Sequence, residues 1–242
     1  MASNPIGDIV PGPEAAPPSP TTLTGRTVTL VPLSPAHAID LFPLVNNDHP
    51  DQTALWTYIP DGPYDRLEDL EKDFTARQSS SDPLFFAILD TAPTPLTPQS
   101  SGKAVGYVAL MSISPSHRRL EIGHVIFSRP LQRTTGATEA IHLLLKHSIE
   151  TLGYRRIEWK CNALNAGSRR AALRLGFQFE GVFRRHMVVK GRNRDTAWFS
   201  MLDEEWKPLR EGFDRWLGEG NFDDHGRQRR GLEEIRREVI PN

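Results

Sequence analysis

The sequence predicts a mixed α/β fold, a single central sheet with helices packed on both of its faces. Three observations carry this expectation. Runs of β-branched and apolar residues alternate with longer runs whose apolar residues recur every three or four positions. The order of these runs is strand, two helices, three strands, helix, strand, helix, two strands, which needs cover on both sides of a sheet. Twice, from Val125 to Ala140 and from Trp159 to Phe177, a strand passes through a short polar loop directly into a helix.

Residues 1 to 22 are rich in Pro, Ser and Ala, with Pro11, Pro13, Pro17, Pro18 and Pro20 close together, and are expected to form a disordered tail. The folded domain is expected over 23–217. Arg26 to Leu33 alternates as a strand does. Ser34 and Pro35 then start a helix bearing Ile39, Leu41, Leu44 and Val45. A loop with Trp56, Tyr58 and Pro60 leads to a second helix near Asp65 to Gln78. Strands follow over Leu84–Leu89, Lys103–Ile113 and Leu120–Phe127, with an exposed Pro/Ser/Thr loop from Thr91 to Gly102. A helix from Thr135 to Leu152 buries Ala137, Ala140, Ile141, Leu144 and Leu145 and stops at Gly153. Arg156 to Cys161 is the fifth strand, and Ser168 to Leu175 is a short helix closed by Gly176. Strands from Phe177 to Val189 and Asp195 to Leu202 form a hairpin about Lys190 to Asn193, closed by Asp195. A helix from Glu204 buries Trp206, Leu209, Phe213 and Trp216, and 218–242 reads as a helical extension.

Formal net charge is -1, so no global basic field points to nucleic acid. The single Cys161 excludes an internal disulfide and a cysteine-rich zinc site, and suits a reducing compartment. No apolar run is long enough to span a membrane, and no signal peptide is visible, so a cytoplasmic protein is expected. The sequence allows a monomer or a homodimer.

A strand entering a helix through polar residues leaves several backbone N–H groups unpaired at the positive end of the helix dipole. The segment from Gln132 to Ala137 is therefore a candidate anion site, and a phosphate-bearing cofactor is the first expectation.

Four landmarks occur in register: Glu121 to His124, Gln132 to Ala140, Asn162 to Ser168 with Leu175 to Phe177, and Glu180 to Phe183 with Arg194 to Ser200. With the element order, they resemble the GNAT superfamily of acyl-CoA-dependent N-acyltransferases over roughly Leu23 to Leu217, and within it the RimJ/RimL-like branch of ribosomal-protein N-terminal acetyltransferases. The resemblance implies the GNAT fold and acetyl-CoA as co-substrate, with no metal. It further implies transfer of an acetyl group to a primary amine by direct attack. A protein N-terminal α-amine is the first acceptor and a small-molecule amine the alternative. One departure stands out. The family loop usually reads Gln/Arg-x-x-Gly-x-Gly/Ala, whereas Thr135 fills the first glycine position here and Gly136 comes one place later. That departure is the one feature favouring a non-catalytic CoA-binding module.

The resemblance assigns roles to particular residues. Val125, Ile126 and Phe127 would hold the pantetheine arm where the fourth strand splays from the fifth, a backbone N–H polarising the thioester carbonyl. Gln132, Arg133, Thr134, Thr135, Gly136 and Ala137 would take the diphosphate. Asn165 would bond the pantetheine chain, and Ser168 would bond cofactor or relay a proton to the departing thiolate, although the same segment also reads as a helix cap. Glu121 is the leading general base. A glutamate of ordinary pKa, ~4.3, needs burial or a water relay for that task, and pairing with Arg118 or Arg119 is the competing reading. His124 is the second base candidate, placed by pleat alternation on the face opposite Glu121. Trp56 and Tyr58, with His124, are candidate acceptor-side residues, core packing being the alternative for the two aromatics.

Overall fold

In a computed structural model, which describes residues 4–92 and 102–240, eight strands form one sheet in the order β1-β2-β3-β4-β5-β6-β8-β7. The strands are β1 (Leu23–Thr24), β2 (Val28–Pro32), β3 (Leu84–Asp90), β4 (Ala104–Ser114), β5 (Arg119–Phe127), β6 (Arg156–Asn162), β7 (Gln178–Val189) and β8 (Arg192–Leu202). Most of the Thr91–Gly102 loop, residues 93–101, lies outside the described residues. No helix of the described residues is long and apolar enough to cross a membrane.

Alternation along the strands sorts side chains into two cores. Leu30, Phe86, Ile88, Val108, Leu120 and Ile122 face one side. There they meet α4 (Thr135–Lys146), α5 (Ala166–Leu175), α6 (Asp203–Leu217) and α7 (Leu232–Val239). Phe85, Ala87, Tyr107 and Ala109 face the other side. They pack under α1 (Ala38–Val45) and α3 (Leu67–Gln78), which the short α2 (Pro50–Thr53) separates in sequence. Burying each large aliphatic or aromatic side chain contributes about 1.5–3 kcal/mol.

α4 is clamped to the start of the sheet by one buried carboxylate. Glu139 accepts from the backbone N–H groups of Arg26 (2.7 Å), Thr27 (2.7 Å) and Val28 (3.2 Å) and from the Thr27 hydroxyl (2.5 Å). A buried carboxylate with several donors is satisfied in a way that an unpaired one is not.

Several expectations are revised. The expected first strand is preceded by a two-residue strand that turns at Gly25 and pairs back on β2. The helix expected to reach Leu152 changes after Lys146 into a single π turn, His147–Thr151, with the Leu152 N–H donating to the His147 carbonyl (3.0 Å). The hairpin closes on Lys190 and Gly191, whose φ values of 49° and 69° match a two-residue type I′ turn. Asp195 instead sits inside β8 and accepts from the Arg185 N–H (2.7 Å) where β7 bulges. Within the Pro-rich segment expected to be disordered, residues 11–16 are docked on the fold, whereas residues 4–10 are exposed. Ala15 is buried, its N–H donates to the Pro115 carbonyl (3.2 Å), and Arg118 donates to the carbonyls of Pro11 and Gly12.

Candidate active site

Among the described residues β5 and β6 are the one parallel neighbouring pair, and their register runs only from Arg119–Arg156 to Glu121–Glu158. Beyond Glu121 the strands part, so among the described residues no strand pairs with the β6-facing edge of β5 from Ile122 to Phe127. On its other edge β5 carries a bulge. Gly123 pairs with Ala109 and Ile126 with Tyr107, so His124 and Val125 together stand opposite Val108. His124 takes a φ of 47°, unusual for a residue with a Cβ. The inserted residue resets the alternation. His124 therefore shares the Glu121 face and meets the Phe85 ring at 5.2 Å between centroids, which corrects the opposite-face expectation.

Glu121 is 7% exposed. Its carboxylate accepts from Lys160 Nζ at 3.0 Å and from the Ser112 hydroxyl at 3.2 Å. Its partner is therefore Lys160 across the parallel pair, in place of Arg118 or Arg119. Burial pushes the Glu121 carboxyl above its ordinary pKa, and the Lys160 charge and hydrogen bond oppose that push. Lys160 also bonds Glu158 at 2.8 Å and lies 4.1 Å above the Trp198 ring.

The loop between β5 and α4 has the form of an anion cradle. The N–H groups of Gln132 and Thr134 donate to the carbonyls of Ser128 and Leu131, and the Ala137 N–H donates to Thr134 Oγ1, the helix cap. Among the described residues, no acceptor meets the N–H groups of Arg133, Thr135 and Gly136. The Gln132 side chain turns back to donate to the Phe127 carbonyl at 2.8 Å, fixing the loop to the end of β5. A Cβ on Gly136 would stand 2.7 Å from Val28 Cγ1, so glycine is required there by helix-to-sheet packing. The threonine at 135 keeps the N–H that a glycine would supply.

At the second strand-to-helix junction the cap is Asn165, whose Oδ1 accepts the Ser168 N–H at 3.0 Å. Ser168 lies inside the first turn of α5 and accepts the indole N–H of Trp159 at 2.9 Å. Burial pushes the neighbouring Cys161 thiol above its ordinary pKa.

The two acceptor-side aromatics separate. Trp56 is a core residue, its indole donating to the Val45 carbonyl at 2.6 Å. Tyr58 crosses the splay, its hydroxyl donating to the Leu164 carbonyl at 3.2 Å. A second bridge was missed in the sequence. Lys190, at the hairpin tip, donates to the carbonyls of Trp56 (3.0 Å) and Gly62 (2.8 Å). Also missed was a cluster of Asp61, Asp73 and Arg77 beside His124.

A family model described as an acetyltransferase (GNAT) domain matches residues 27–178. The chain belongs to the GNAT acetyltransferase family. The crystal structure of a GCN5-related N-acetyltransferase from Brucella melitensis is 41% identical, covers 93% of this chain and 98% of its own, and superposes with a TM-score of 0.86. A curated relative, the uncharacterized N-acetyltransferase YoaA of Bacillus subtilis (strain 168), is 33% identical over 98 residues, 40% of this chain and 55% of its own length. Another from the same organism, YdaF, is named as a candidate ribosomal N-acetyltransferase. It is 28% identical over 106 residues, 44% of this chain and 57% of its own. The chain thus spans a little over half the length of the curated relatives it matches. GNAT enzymes use acetyl-CoA, and the residues present suit that group: among the described residues, three N–H donors around the α4 N-terminus lack an acceptor, as a diphosphate requires, and the β5 edge beyond Glu121 lacks a strand partner, as an amide-bearing arm requires.

Proposed function

We propose that the protein acetylates a primary amine by direct attack on acetyl-CoA in a ternary complex, and that the amine is the α-amine of a peptide chain. The parting of β5 from β6 carries the reaction. It leaves backbone groups of Val125, Ile126 and Phe127 free to pair with an amide-bearing arm, just before the cradle at Arg133, Thr135 and Gly136. Acetyl-CoA, when bound, supplies an activated acetyl carbonyl. Asn165, having committed Oδ1 to its cap, keeps its amide N–H groups for the arm. Ser168 accepts from Trp159 and also bonds Cys161, and its hydroxyl proton is the one assigned to the departing thiolate. Burial keeps Cys161 a thiol at neutral pH, which suits direct attack better than a covalent enzyme intermediate.

The charge on the acceptor face supports a peptide-like amine over a polycation. Glu121 is paired with Lys160, and the one negative charge left by Asp61, Asp73 and Arg77 lies against His124, so neither carboxylate stands open to a second ammonium group. The name of YdaF points the same way. A small-molecule amine is the second reading, favoured by the Tyr58 and Lys190 bridges that narrow the entry. Thiol release from acetyl-CoA, measured over peptides with free N-termini, monoamines and polyamines, tests the proposal. Peptides should turn over fastest; turnover of polyamines alone overturns the acceptor assignment, and CoA binding without turnover overturns the activity.

A further inference from the structure

We propose that His124 is the base that takes the proton of the acceptor amine, and that Asp61, held in place by Arg77 and Asp73, is the residue that positions it. This assignment rests on the amine-acetylation reading and deepens it. The β5 bulge places His124 three residues past the last β5–β6 pair and next to Val125, where the pantetheine arm would pass. A strained backbone at a non-glycine residue persists only where its surroundings over-determine it, and such strain gathers at functional sites.

Those surroundings form an orienting shell. Nδ1 of His124 is buried without a hydrogen-bond partner, and Asp61 Oδ2, from the α2–α3 loop, lies 3.7 Å away. Asp61 cannot drift, because Arg77 Nη2 holds the same oxygen at 2.8 Å. Arg77 is itself pinned: Nε lies 2.6 Å from Asp73, and its guanidinium packs 4.7 Å from the Phe85 ring centroid and 5.3 Å from that of Tyr107. The other charged groups nearby are Glu121 on the same strand, already paired with Lys160, and Lys190, which faces Asp61 from the hairpin tip.

The charges match the task. Two carboxylates and one guanidinium leave one negative charge, which an imidazolium at His124 cancels. Burial first, then the Arg77 charge, holds the imidazole below its ordinary pKa against Asp61 and Asp73, so the resting ring is neutral. With its proton on Nδ1 toward Asp61, the ring offers the Nε2 lone pair. Nε2 takes one proton from the acceptor ammonium, and the freed nitrogen pair forms the C–N bond to the acetyl carbon. The C–S bond breaks with its electrons passing to sulfur. The sulfur leaves as a thiol with the nitrogen's second proton, relayed through the Ser168 side, and the imidazolium returns its proton to solvent.

Two measurements on the full chain test this. The first is an NMR titration of the His124 ring with CoA bound, in the wild type and in Asp61→Asn. Loss of the anion should lower the His124 midpoint by about one unit, and an unchanged midpoint overturns the pairing whether or not an acceptor is known. The second is the pH profile of kcat/KM on the amine panel. His124→Gln should lose the ascending limb and about 100-fold in kcat while binding CoA within about twofold of wild type. Asp61→Asn, a partly exposed site, should shift that limb to lower pH and serves if His124→Gln folds poorly. A limb retained in His124→Gln overturns the base assignment. Failure of the acetylation reading looks different: the wild type then turns over no amine at any pH.

Discussion

Lys160 Nζ sits 3.0 Å from Glu121 Oε2 just beyond the last register of the parallel β5–β6 pair. The carboxylate nearest the splay is therefore half of an ion pair before any substrate arrives. Glu121→Gln should raise the acceptor KM several-fold and lower kcat by less than tenfold, leaving the ascending pH limb in place. Loss of that limb, in a steady-state profile from pH 6 to 9, would hand the proton-accepting role to Glu121.

Ser168 offers a test that separates packing from chemistry. Ser168→Ala removes the acceptor of the buried Trp159 indole N–H, and an unsatisfied buried donor costs about 1–3 kcal/mol. Chemical denaturation should report that loss. If the hydroxyl also relays a proton to sulfur, kcat falls at least tenfold and rises again when the acyl donor carries a thiol of lower pKa.

The cradle predicts opposite results at adjacent positions. Gly136→Ala drives a Cβ against buried Val28, an overpacking of about 1–3 kcal/mol that pushes the start of α4 off the sheet. CoA affinity, measured by calorimetry, should drop at least tenfold. Thr135→Gly keeps every N–H and should leave affinity within about threefold.

Tyr58→Phe removes the bond to the Leu164 carbonyl, worth about 0.5–1.5 kcal/mol, and should open the entry between the α2–α3 loop and the β6–α5 loop. Faster amide exchange over residues 54–64 is expected, with little change in CoA affinity. If the bridge restricts acceptor size, bulkier amines gain in kcat/KM relative to small ones.

An acid titration should find the Arg156–Glu180 pair. The bidentate hydrogen bonds from Arg156, at 2.7 and 2.5 Å, hold the Glu180 carboxyl below its ordinary 4.5, against a smaller upward push from burial. The unfolded chain then takes up this proton first on acidification. Its contribution is present above about pH 4.5 and is lost as pH falls through the depressed folded value. In Glu180→Gln the stability difference from wild type should shrink below that pH; because the pair is partly exposed, the difference stays within about 1 kcal/mol.

Much of the fold was legible because its signals are local. The apolar stripe of α4, the glycine that ends α5 and the Lys190–Gly191 turn each follow from residues adjacent in sequence. What escaped depends on counting across strands. Pleat alternation put His124 on the wrong face because a single inserted residue, invisible in an apolar run, reverses every later side chain. Lys160 could not be named as the Glu121 partner without the parallel register that joins two strands more than thirty residues apart. The Asp61–Arg77–Asp73 cluster lies in a loop and a helix whose charged residues read as solvated surface, yet Arg77 is buried between two rings. The docking of residues 11–16 was hidden for the opposite reason: one alanine and a few carbonyls hold it.

That docked segment bears on how variants of the chain are built. Pro11, Gly12 and Ala15 fasten the turn between β4 and β5, at the root of the strand that later bulges at His124, and Ala16 fastens the end of the π turn through the Leu152 carbonyl. Trimming a proline-rich leader to improve crystals or expression would unfasten that root and loosen the register from the wrong end. A shortened protein with altered turnover would then be reporting a lost peg some distance from the chemistry.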